Sequence, residues 1–188
     1  MRGSVGEHYL ADVIGELGKL RKLTERALRQ VDEARFSRAP DPESNSIALI
    51  IKHLAGNMRS RWRDFLSTDG EKPDRQRDRE FRLEPEDTRS ELMRRWDEGW
   101  SHVFDAIGAL TEDDLLRTVT VRGEPHTVLE AIHRQLSHYA YHVGQIVYLA
   151  KHWAGEEWQS LSIPRDRSRD LEVGKDGEVY GTSEGEDG

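Results

Sequence analysis

Apolar residues recur at steps of three and four in four separate stretches of this chain, and each stretch needs a partner to cover its stripe. The first holds Leu10, Val13, Leu17, Leu20, Ala27 and Val31; Ser4 and Glu7 have the spacing of a capping box, so a helix is predicted over about residues 5–33. Arg38-Ala39-Pro40-Asp41-Pro42 breaks it, because proline has no N–H for the helical ladder. A second helix follows Ser44-Asn45-Ser46, any of which can cap it. It carries Ile47, Ile50, Ile51, Leu54, Met58, Trp62 and Phe65, and is expected to end near Ser67. Residues 71–83 are polar and aperiodic and read as a long surface loop. A third helix opens at Pro85 or at the pair Thr88 and Glu91, and shows Leu92, Trp96, Val103, Ile107 and Leu110. Thr118-Val119-Thr120-Val121, a turn over Arg122-Gly123-Glu124-Pro125, and His126-Thr127 predict a small hairpin. The fourth helix starts at the box of Thr127 and Glu130 and runs to about His152, with Gly155 as its stop.

Four such stripes are buried most simply in an all-α, four-helix bundle with a small β-hairpin before the last long helix. At 188 residues the chain suits one core. Residues 1–165 are the expected helical domain. Residues 166–188 form an acidic tail, expected to be disordered: from 170 onward it has seven acids against one lysine and few apolar anchors.

Of the net charge of −8, residues 1–169 keep only about −2, and nucleic-acid binders normally show a basic footprint. The basic runs at 59–63 and 72–82 are interleaved with Asp64, Asp74, Asp78 and Glu80, the pattern of a solvated charged face. No nucleic-acid partner is expected. The chain lacks cysteine, which excludes disulfides, thiolate ligands and a cysteine nucleophile. No run approaches the ~20 apolar residues of a membrane span, and no leader is evident, so no membrane partner and a cytoplasmic location are expected.

His138 and His142 stand four apart on the fourth helix, one turn of about 5.4 Å, so both rings leave the same face and can share one cation. Two imidazoles rarely suffice, and His53 is the candidate third: it lies in the apolar stretch Ile50-Ile51-Lys52-His53-Leu54, where an unpartnered polar ring is costly. His8, His102, His126, His133 and His152 are less well placed. Three neutral imidazoles leave a divalent ion nearly its whole charge, so a bound water or thiol is acidified. With a fourth position open such a site is a seat for chemistry; with the shell closed the ion is a staple. Histidine ligands suit several transition metals, with zinc or nickel preferred. Asn57 and Arg61 follow His53 on its face, and Gln135, Tyr141 and Gln145 lie within a turn of the histidine pair, which makes them pocket candidates; each also reads as surface charge, interhelix hydrogen-bonder or packing. Trp158, with Arg165, reads as a flap over the site or as a plug at the end of the helices.

The segments "KHLAGNMRSRW" (52–62) and "HRQLSHYAYHVGQI" (133–146), with Trp158-Gln159-Ser160-Leu161-Ser162-Ile163-Pro164, resemble the DinB/YfiT-like superfamily over about residues 5–165. The resemblance implies an up-down four-helix bundle of unusual helix order, a divalent metal on His53, His138 and His142, and a homodimer. It also implies a metal-dependent transferase or hydrolase with a small-molecule substrate, in which the ion activates a low-molecular-weight thiol cosubstrate such as mycothiol, bacillithiol or glutathione. The alternative is a non-catalytic stress-responsive protein whose metal is structural.

Overall fold

The hydroxyls of Ser4 and Thr127 each accept the backbone N–H three residues on, at 3.1 Å, while Glu7 and Glu130 reach back to the cap N–H. These reciprocal caps open the first and last long helices, α1 (Val5–Leu28) and α5 (Val128–Ala154). The computed structural model describes residues 3–181, and the chain is mostly helical. Between α1 and α5 lie a short α2 (Glu33–Ser37), α3 (Ile47–Trp62) and α4 (Arg89–Gly108). Ser46 caps α3 and Thr88 caps α4, choosing among the starts left open above.

Two helices end earlier than their apolar stripes predict. Gln30 and Val31 donate back to the Ala27 and Leu28 carbonyls, and the Asp32 carboxylate then accepts Arg35 N–H at 2.7 Å to start α2. Val31 is buried all the same, since burial needs no helical backbone. In α3 the helical path stops at Trp62, where Arg63 becomes extended at ψ 127°; Asp64 then turns through φ 49° and Phe65 lies against Trp62, ring centroids 4.8 Å apart. Gly155, at φ 57°, stops α5 where expected.

Strands β1 (Thr118–Val121) and β2 (Glu124–Thr127) pair antiparallel, with Thr118 opposite Thr127 and Val121 opposite Glu124. The turn is shorter than expected: Arg122 and Gly123 take it alone, at φ 59° and 77°, the handedness of a tight two-residue hairpin. Within the segment read as an unstructured tail, β3 (Leu171–Val173) pairs with β4 (Val179–Gly181). Val173 faces Val179 across this second hairpin, and Gly177 supplies a positive φ of 80° for the turn. Acidic composition hid those few β-branched residues. The end of the tail, 182–188, lies outside the described residues.

Each long helix packs chiefly on two others: α3 on α4 and α5, and α1 on α5 and α4. Tyr9 meets His133 near the starts of α1 and α5, and Gln30 exchanges two hydrogen bonds with the backbone of Gln159 just past their ends, so these two run parallel. Helix α4 runs against α1, since Arg89 at its start donates to the Leu28 and Val31 carbonyls. Helix α3 runs against α5: Arg38, shortly before α3, lies over Trp153 at the end of α5, and Gly70, beyond α3, donates to Thr120 in the hairpin preceding α5. Trp96, Trp100, Tyr139 and Met58 fill the middle and are fully buried. Among the described residues no helix is long and apolar enough to cross a membrane.

Candidate metal centre

The antiparallel contact of α3 with α5 brings His53 against the His138/His142 pair. The three ring centroids form a triangle with sides of 4.7, 5.0 and 5.3 Å, and one nitrogen from each ring lies within 4.8 Å of the others. His53 and His142 are buried and His138 is half-buried.

The outer nitrogens decide which inner ones are free. His53 Nδ1 donates to Glu80 Oε2 at 2.8 Å, so its Nε2 carries a lone pair toward the centre. His142 Nδ1 faces Gln145 Oε1 at 2.8 Å in the same way. His53 Nε2 and His138 Nε2 are 3.2 Å apart. Two nitrogens held at about 2.0–2.1 Å from a tetrahedral ion stand ~3.3 Å apart, so this edge already has the spacing of a coordination sphere.

Burial, reinforced by His142 and His53, lowers the pKa of His138 to about 3. Burial also lowers that of His142, partly opposed by Gln145. Both rings are therefore neutral at pH 7, the form that binds a cation. Burial alone would raise the pKa of Glu80, but the Arg75 guanidinium and His53 outweigh it and hold the group ionised. The donor set fits a divalent transition metal.

Glu80 comes from the segment read as a plain surface loop. There a tight 3-10 turn, Arg77–Phe81, lays Phe81 against the His53 ring, centroids 4.9 Å apart, and aims the Glu80 carboxylate at Nδ1. Arg75 grips that carboxylate with two bonds of 2.8 Å. The chain of charge continues through Glu71 to Arg61 and to Arg122 in the β1–β2 turn. Gly56, one turn along α3 from His53, is what admits it: a Cβ there would stand 2.5 Å from Glu80 Oε1 and 2.9 Å from its Cδ.

The remaining candidates divide. Gln145 supports His142, and the exposed ring of Tyr141 stands edge-on to it at 5.0 Å. Gln135 is buried on α5, one turn before His138. Asn57 accepts from the Tyr139 hydroxyl, which itself accepts from Trp62 Nε1, so it joins α3 to α5. Arg61 is buried and binds the Gly70 carbonyl and Glu71, holding the loop after α3. Trp158 packs on the core beyond the end of α5 instead of covering the histidines; His142 and Ala154 are about 18 Å apart along that helix.

A family model described as "Protein of unknown function (DUF1572)" matches residues 4–167. No curated protein and no solved structure matches the chain.

Proposed function

The chain belongs to this DUF1572 family, and we propose that it is a DinB/YfiT-like four-helix-bundle metalloprotein holding zinc or nickel on His53, His138 and His142 and acting as a thiol S-transferase. The donor count carries the reading. Among the described residues the cluster offers three imidazoles and no fourth histidine or carboxylate within the same reach. Structural ions take four protein donors, whereas catalytic ions keep a position for a small molecule.

A divalent ion in this place supplies Lewis acidity that lowers the pKa of a thiol beside it. The protein's own residues do the positioning. Glu80 and Gln145 fix the ring orientation of His53 and His142, Phe81 closes one side of His53, and Tyr141 stands on the solvent side of His142 where a small molecule arrives. The likeness in 52–62 and 133–146 directs the chemistry toward transfer of a thiol sulfur to an electrophilic carbon, and implies a homodimer, which sedimentation velocity reads.

The test compares zinc- or nickel-loaded protein with stripped protein, each given an alkyl halide and glutathione, bacillithiol or mycothiol. Thiol loss is expected to require both the ion and His138. Equal thiol loss in loaded and stripped protein overturns the transferase reading. A fall in melting temperature on stripping, with no metal-dependent turnover for any thiol, assigns the ion a structural role instead.

A further inference from the structure

On the far side of Glu80 from the histidines lies a cavity of about 420 Å³, bounded by α3, α4 and the loop that joins them. Eight basic and five acidic side chains line it. Most of the cations are matched. Lys52 and Arg95 share Asp87, Arg94 is held by Glu91 and Glu98, Arg79 by Glu84, and Arg75 by Glu80 and Glu71.

One end is less closely matched. Arg59 and Arg63 both bind the single carboxylate of Asp74, at 3.0 and 2.6 Å. Lys72 is 5% exposed, and its Nζ donates to the Asp69 carbonyl at 2.6 Å, with no carboxylate within ion-pair distance among the described residues. A buried ammonium is costly; Asp64 and Asp69 offset its charge only from beyond ion-pair distance, and it is placed in this wall by its own backbone N–H, which donates to Ser60 Oγ on α3 at 3.0 Å. Three cations therefore face a cleft large enough for a small metabolite, with Asp74 the one carboxylate in direct contact with them among the described residues.

We propose that the end of this cavity formed by Arg59, Arg63 and Lys72 binds a phosphate group of a small phosphorylated ligand. The two guanidiniums offer planar forks to phosphate oxygens and the lysine a compact charge, the combination that recognises a dianion better than a lone carboxylate. The site is separate from the histidines, because Glu80 stands between them with one oxygen on His53 and the other against Gly56.

The test is isothermal titration of metal-free protein with inorganic phosphate and with pyrophosphate at fixed ionic strength, with sulfate and chloride as controls. Saturable one-to-one binding of phosphate or pyrophosphate is expected, weakened about tenfold or more in Lys72→Met and in Arg59→Gln. Arg59 is largely exposed, so its variant keeps the test valid if the lysine variant fails to fold. Arg94→Gln, at the matched end, and His138→Ala are expected to bind phosphate as the unaltered protein does. Absence of saturable binding, binding unchanged in Arg59→Gln, or random-sequence DNA bound with the same residue dependence each overturns the proposal.

Discussion

His53 gives its Nδ1 proton to Glu80 Oε2 across 2.8 Å, which joins a ring on α3 to a carboxylate 27 residues further along the chain. That bond selects the tautomer whose Nε2 faces the other two histidines, and it is held from behind by Arg75. Partners of this kind are worth about 10–100-fold in metal affinity. Glu80→Gln is accordingly expected to weaken zinc binding by about that factor with the helical content intact, measured by competition with a chromophoric chelator.

Gly56→Ala sets two effects against each other. Alanine favours a helix interior by ~1 kcal/mol over glycine, but the new methyl would meet Glu80 Oε1 at 2.5 Å, and that carboxylate is pinned by Arg75 and His53. The steric term is expected to win at the site. Zinc affinity falls toward that of Glu80→Gln, while the melting temperature of the stripped protein changes by no more than a few degrees.

Acid should destabilise the stripped protein through His138. Its folded-state pKa is depressed to about 3, so below the ordinary value near 6.5 the unfolded chain takes up a proton that the folded chain refuses. The contribution is full above that ordinary value and is lost progressively as pH falls toward 3. Urea unfolding at pH 7.5, 6.5 and 5.5 is expected to show stability declining with pH in the stripped protein, and declining less in His138→Gln.

Asp87 holds α4 to α3. Its side chain is fully buried, binding Lys52 at 2.5 Å and Arg95 at 2.9 Å, and its Oδ2 accepts Glu84 N–H at 2.9 Å. Removing one partner of a buried pair typically costs ~3–5 kcal/mol because the other charge stays behind. Lys52 keeps the Arg82 carbonyl at 2.7 Å, so Asp87→Ala is expected near the lower end, read by denaturant titration.

The stripes and caps were legible in the sequence because a helix writes its own periodicity: Ser4 with Glu7 and Thr127 with Glu130 mark the two starts. So was the histidine pair, since a four-residue step needs only one helix to align it. Glu80 was not, because its meeting with His53 depends on a short 3-10 turn inside an aperiodic polar run. Gly56 carried no signal either; its smallness matters only because of what lies opposite. The end of α1 was misplaced because Val31 continues the stripe although its backbone has left the helix.

In the proposed function, three imidazoles from two distant stretches of chain share one cation. Elemental analysis of protein purified without a metal-affinity column, beside a His138→Ala variant prepared identically, addresses it most directly. About one zinc or nickel per chain is expected in the unaltered protein and little in the variant. Equal metal in both would contradict it.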